Sequence, residues 1–145
     1  RFPIIFSAHP RFKKKLQQST KTLDPLINVI DPLGFIDYLK IQIDSFCVVS
    51  DSGTIFEESI LCKFPAVTVR ESHERPEGIE VGGLVVASPI KTEIIQAINQ
   101  VTSQHLEGYR CQDLSDYSSP DVSKKVSRII SSYTSYVNRI TWKRN

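Results

Sequence analysis

Five short apolar runs alternate with segments of helical periodicity, and that alternation leaves few folds open to this chain. Residues 2–8, 27–30, 46–49, 66–69 and 84–87 are each of strand length and rich in Ile, Val and Phe. Residues 11–20, 34–43, 54–61 and 90–103 read as helices between or after them. The first is basic and exposed. The second spaces Phe35, Tyr38, Leu39 and Gln42 at three to four, with Phe35 and Tyr38 expected in the core. The fourth lines Ile90, Ile94, Ile98 and Val101 along one face, with Ser88-Pro89 as its cap. A short helix is expected over 75–81, with Pro76 near its first turn. A last helix runs from the cap Asp121 to about Arg139, with Val122, Val126, Ile129, Ile130, Tyr133 and Val137 as its stripe. Residues 104–120 are polar and irregular. Strands joined through helices build a parallel sheet with helices on both faces, so the expected fold is α/β, doubly wound and Rossmann-like. The run at 46–49 is apolar throughout, as for a strand buried on both faces.

The chain has 145 residues, which suits one domain with its own core. A net charge of +2 gives no footprint for nucleic acid. No apolar run approaches the ~20 residues of a membrane-spanning helix. The chain opens on Arg1 inside a strand-like run and contains no Met, so it is expected to be the C-terminal piece of a longer protein, with N-terminal processing as the alternative. Cys47, Cys62 and Cys111 form no metal-ligand spacing. Cys47 and Cys62 are expected as buried small hydrophobes, and unpaired thiols suit the cytoplasm.

Open parallel sheets bind ligands beyond the carboxyl ends of their strands. His9, residues 31–34, residues 51–54 and residues 70–77 all follow strands at that edge. Their centre is the run 48–78, VVSDSGTIFEESILCKFPAVTVRESHERPEG. Ser52-Gly53-Thr54 follows a strand and opens a helix. Gly53 allows close backbone approach of an oxyanion and the hydroxyls add donors, although Ser and Thr are also plain helix caps. Glu57 and Glu58 complement the helix dipole on a solvated face, or one of them turns to the cleft, since neighbours point about 100° apart. Arg70 and the loop His73-Glu74-Arg75-Pro76-Glu77 read either as ion pairs in water or as ligand contacts stiffened by proline. His73 is a candidate acid–base group, with a positioning role equally open. His9 reads as structural. Together the turn, the carboxylate and the arginine are what holding a nucleoside diphosphate requires. The lysine of an ATPase P-loop and the G-x-G-x-x-G of dinucleotide folds are both absent. No cofactor or metal is implied.

Asp51-Ser-Gly-Thr-Ile-Phe-Glu-Glu58, then Val69-Arg70, then His73-Glu-Arg-Pro-Glu77, resemble the UDP-N-acetylglucosamine 2-epimerase family. That family's pattern is close to D-S-G-G-x-x-E-E, a strand ending in Arg, and T-E-R-P-E. His9-Pro10 and Asp31-Pro32 fall where the family has them, and the resemblance spans nearly the whole chain. It implies the C-terminal half of a GT-B type two-domain fold. It also implies a UDP-sugar substrate and inversion at C2 by elimination and re-addition of UDP. Carried over by position, Ser52, Gly53 and Thr54 contact the diphosphate, Glu58 the ribose and Arg75 a further anionic group. Leu33 and Tyr38 frame the uracil. The acid–base groups come mainly from the N-terminal domain, so 1–145 is expected to hold the UDP half of the site and not to turn over alone, with weak UDP binding by the fragment left open. The full-length protein is expected to be a homodimer, and the helix over 121–140 is expected to pack on the other domain. Thr54 and His73 depart from the pattern. With the tail they resemble the branch acting on UDP-linked 2-acetamido-2,6-dideoxy-L-hexoses for surface polysaccharide. Two rivals remain. A GT-B transferase need not form a glycal with free UDP, and a nucleotide-sugar sensor would bind UDP-sugar yet stay inert when joined to its other half.

Overall fold

A computed structural model describes residues 2–144 apart from 21, 71–76, 112–116 and 118. In chain order it forms β1 (Ile4–Ser7), α1 (Pro10–Gln17), β2 (Ile27–Ile30), α2 (Phe35–Asp44), β3 (Val48–Ser50) and α3 (Ile55–Cys62). There follow β4 (Ala66–Thr68), α4 (Glu77–Glu80), β5 (Val85–Val86), α5 (Lys91–Leu106) and α6 (Val122–Ile140). Every ladder is parallel, as helical crossovers demand. The strands divide into a β1–β2 pair and a β3–β4–β5 sheet.

β4 is the centre of the larger sheet, and all three of its residues are buried. Successive strand residues point to opposite faces. Ala66 joins Ile55, Phe56 and Ile60 of α3 with Phe64 and Leu84. Val67 joins Ala87 and Ala97, with Ile94, Ile98 and Val101 of α5 around them. Helices therefore cover both faces of β4, the doubly wound arrangement. Ser59 stays inside because its hydroxyl donates to the Phe56 carbonyl (2.9 Å), and the buried Thr102 hydroxyl donates to the Ile98 carbonyl (2.7 Å).

Several expectations need correction. The apolar run at 46–49 is not buried on both faces. Pairing starts at Val48, whose N–H reaches the Pro65 carbonyl, and both Phe46 and Val49 are exposed. Phe46 lies before the ladder and stacks on Phe2 (4.5 Å between rings). Phe35 is 68% exposed rather than core. It occupies the first turn of α2, where helical spacing gives a face but no described residue buries it. Ser88 caps nothing with its side chain. Its N–H instead donates to Glu93, and Ile90 holds the cap position of α5. Asp121 sits at the α6 cap in a left-handed conformation (φ 61°) and pairs with Lys124 instead of capping the helix. Cys47 and Cys62 are half-buried at the margins of the two cores.

The β1–β2 unit is thinly covered. Ile4, Ile5 and Phe6 are exposed, and α1 buries none of its residues, touching β1 through the Phe6–Phe12 ring pair (4.7 Å). α6 likewise buries none, so Val126, Ile129, Ile130 and Tyr133 lie exposed along one stripe. Among the described residues no helix is long and apolar enough to cross a membrane.

Candidate functional site

The turn between β3 and α3 is built from its own hydroxyls. The Ser52 N–H donates to Ser50 Oγ (3.0 Å), and the Thr54 N–H donates to Ser52 Oγ (3.3 Å). The two hydroxyls of Ser52 and Thr54 lie 2.9 Å apart. Thr54 takes the cap position of α3 in helical geometry and caps no N–H with its side chain. The plain-cap reading of Thr54 is therefore not what the structure forms. An eight-residue helix begins here with first-turn N–H groups that lack intrahelical acceptors, and its dipole adds positive potential. Ser52, Gly53 and Thr54 are all exposed. The turn is held still from below, because Ile55 and Phe56 are 2% and 1% exposed.

Glu58 lies one turn into α3, half-buried, with its N–H bound to the Thr54 carbonyl (3.0 Å). Its Oε2 accepts from Gln42 Nε2 at 2.7 Å. Gln42 belongs to α2, so this bond ties the segment following β2 to the segment following β3. Tyr38 is one turn earlier on the same helix, half-buried, with its N–H on the Gly34 carbonyl (2.9 Å). Burial, then the charges of Glu58 and Asp51, push its phenol above the usual tyrosine range. Tyr38, Gln42, Asp51 and Glu58 thus form one neighbourhood beside the Ser52 turn. Leu33 stands in the exposed loop leading into α2. The register Ser50↔Thr68 carries the half-buried Arg70 to the same edge from β4. His73 and Arg75 lie outside the described residues.

His9 has a structural role, since its Nδ1 accepts from the Arg11 N–H (3.2 Å) at the start of α1. Asp31, directly after β2, pairs with Lys13 of α1. A separate concavity, lined by Lys63, Pro65, Gly82, Leu84 and Tyr109, sits at the amino ends of β4 and β5, the wrong edge for a ligand of this fold. In the sequence, Gln42 carries no signal beyond its helical spacing. A lone amide within an apolar spacing was the signal available.

The fold and this edge define a parallel α/β domain with an oxyanion-ready turn, a tethered carboxylate and a nearby aromatic. The family described as UDP-N-acetylglucosamine 2-epimerase matches residues 1–131, and the chain belongs to that family. A solved UDP-N-acetylglucosamine 2-epimerase from Rickettsia bellii is 40% identical with TM-score 0.83, covering 99% of this chain and 40% of that one. The Methanocaldococcus jannaschii enzyme, solved in complex with UDP-GlcNAc and UDP, is 28% identical with TM-score 0.70, covering 88% of this chain and 35% of that one. In sequence that organism's UDP-N-acetylglucosamine 2-epimerase is 36% identical over 100 residues, 66% of this chain and 27% of its own length. The chain thus spans well under half of these relatives. A UDP-2,3-diacetamido-2,3-dideoxy-D-glucuronate 2-epimerase of Pseudomonas aeruginosa also matches, at 26% identity over 95 residues, so membership leaves the sugar open.

Proposed function

We propose that this chain supplies the UDP-binding half of a nucleotide-sugar 2-epimerase. In that reaction C2 of a UDP-linked 2-acetamido hexose loses its proton and the C1–O bond breaks. The bonding electron pair leaves with UDP, giving a 2-acetamidoglycal. Re-addition of UDP with protonation of the opposite face of C2 completes the inversion. The chain's part is to hold the diphosphate while it gains charge, which is electrostatic work. Ser52, Gly53 and Thr54 would meet the phosphates, Glu58 the ribose, Arg75 a further anionic group, and Leu33 and Tyr38 the uracil. The observation that carries this reading is the Ser52–Thr54 hydroxyl pair beside a carboxylate already hydrogen-bonded by Gln42. The Methanocaldococcus jannaschii structure with UDP-GlcNAc and UDP supports the ligand class.

The acid–base groups at C2 belong, in this reading, to an N-terminal half, so the chain alone binds UDP and does not turn over. The exposed α6 stripe supports docking of residues 121–140 on that half. The full-length protein would act as a homodimer in making surface polysaccharide. Its substrate class would be the UDP-2-acetamido-2,6-dideoxy-L-hexoses. Calorimetric titration with UDP tests the core of the proposal. The wild-type chain is expected to bind and Ser52→Ala/Arg75→Ala to lose binding. Equal binding by both would refute the placement, and glycal formation by the chain alone would refute the division of labour.

A further inference from the structure

Gln42 is 3% exposed, among the most buried polar side chains described. A buried helix position of this size is ordinarily filled by Leu or Met, which need no partner. Gln42 has only partial satisfaction. Its Nε2 donates to Glu58 Oε2 at 2.7 Å, while its Oε1 is buried with no hydrogen-bond partner among the described residues. The reverse amide orientation would set Oε1 against a carboxylate, so the observed one is the stable choice. An amide kept inside with one acceptor unsatisfied weakens the fold relative to an apolar side chain. Its retention calls for a gain elsewhere, and the group it touches is the carboxylate of the candidate site.

The surroundings make this contact directional. The Gln42 carbonyl accepts from the N–H (3.2 Å) and the hydroxyl (2.8 Å) of Ser45, which pins the last turn of α2. Tyr38, four residues earlier, shares the helical face and feels the Glu58 charge. Glu58 itself stands on α3, anchored by Phe56 and Ile60 in the core. Both partners of the hydrogen bond are thus carried on fixed backbone, in segments that follow different strands.

We infer that Gln42 is the positioning residue for Glu58: its amide N–H occupies Oε2 and leaves Oε1 as the acceptor for a ribose hydroxyl. This rests on the reading of Glu58 as the ribose contact. A carboxylate on a half-exposed helix samples several rotamers, and fixing one before the ligand arrives removes an ordering cost from binding. Gln42 would act through Glu58 alone, without touching the nucleotide.

The test is titration of the chain with UDP and with 2′,3′-dideoxyuridine diphosphate, for wild type, Gln42→Met, Glu58→Gln and Ser52→Ala, with thermal melts of each. Gln42→Met trades the orphaned Oε1 for a Glu58 Oε2 without its donor, so its melting temperature is expected to stay within a few degrees of wild type. It should bind UDP about tenfold more weakly, as for loss of a hydrogen bond to a charged group, and bind the dideoxy ligand like wild type. A merely structural Gln42 would move the melting temperature and treat both ligands alike. If Gln42→Met weakens both ligands equally, or neither, while Glu58→Gln and Ser52→Ala weaken UDP, the inference about Gln42 fails and the UDP site stands. If wild type binds no UDP, or if Glu58→Gln and Ser52→Ala bind it unchanged, the UDP reading fails and takes the inference with it.

Discussion

Phe56 is the side chain on which the candidate turn rests, and Phe56→Ala is the sharpest test of how fold supports site. The ring is 1% exposed, is packed with Ile55, Ile60, Phe64, Ala66 and Leu84, and meets Tyr117 edge-to-face at 5.7 Å and 88°. Truncation removes most of a buried aromatic and leaves a cavity that rigid neighbours cannot fill. The typical cost is about 3–5 kcal/mol, including about 0.5–1.5 kcal/mol from the aromatic pair. Against a total near 5–15 kcal/mol for a domain of this size, that is a large fraction. The melting temperature should fall by roughly 10–20 °C, at a few degrees per kcal/mol. Phe56→Leu keeps most of the volume and should cost about 1–1.5 kcal/mol. Urea unfolding of both variants gives the free energies directly. Phe56 lies two residues beyond Thr54, so the surviving folded fraction of Phe56→Ala should also bind UDP more weakly than Phe56→Leu. A loss under about 1 kcal/mol for Phe56→Ala would mean that the α3–β4 core is packed differently, and the account of a rigid turn would fall with it.

Tyr38 should titrate above the ordinary tyrosine value, and Glu58→Gln should bring it down, as followed by phenolate absorbance against Tyr38→Phe. Because its folded pKa exceeds its unfolded one, Tyr38 should cost stability as pH rises past about 10, an effect that Tyr38→Phe abolishes. Burial pushes the Cys47 thiol up to about 12, so alkylation at pH 8 should be slow at Cys47 in the folded chain and become fast once urea unfolds it. Lys63 ends α3 in the left-handed region (φ 60°), so Lys63→Gly should stabilise the chain by about 0.5–1 kcal/mol in urea unfolding. Arg70→Gln should weaken UDP binding about tenfold at low salt and by less at high salt in calorimetry, and an equal loss at both would argue against a Coulombic role.

What the sequence disclosed, it disclosed through pattern. Residues 27–30 were legible to the residue, because an apolar run ends at Asp31-Pro32 and proline stops the ladder. The Ser52-Gly53-Thr54 turn was legible as the link between β3 and α3, because small and hydroxyl residues between an apolar run and a helical spacing break the chain there. Phe35 was misplaced because periodicity states which residues share a face and not whether anything packs there. Phe46 was read into β3 for its hydropathy, whereas pairing begins where Val48 meets Ala66, a fact of two segments sixteen residues apart or more. Lys63 gave no signal for a left-handed cap, since nothing in a lysine favours that backbone and only the return of the chain into β4 requires it. Gln42 was legible as a helix-face residue, but its partner is sixteen residues away on another helix.

The charge pattern at the turn also needs an account. Asp51, Glu57 and Glu58 place three carboxylates within eight residues of a site proposed to hold a diphosphate. Two like charges at 4 Å repel by about 4 kcal/mol at a protein-surface dielectric, so such a site cannot rest on the turn alone. Helix dipoles offset only part of this, each contributing well under a full charge. The Gln42 contact lowers the penalty at Glu58 by giving its Oε2 a donor, and so leaves the carboxylate able to accept from neutral hydroxyls. That is the ligand chemistry a carboxylate suits, since it accepts from ribose and repels phosphate. The diphosphate must then be met by hydroxyls, backbone N–H groups and guanidinium, and the half-buried Arg70 reaches this edge from β4. The proposed order, sugar beside Glu58 and phosphate beside Ser52, keeps the phosphate off the Glu58 carboxylate and leaves Asp51, the residue before Ser52, as the like charge that the turn N–H groups and Arg70 have to offset.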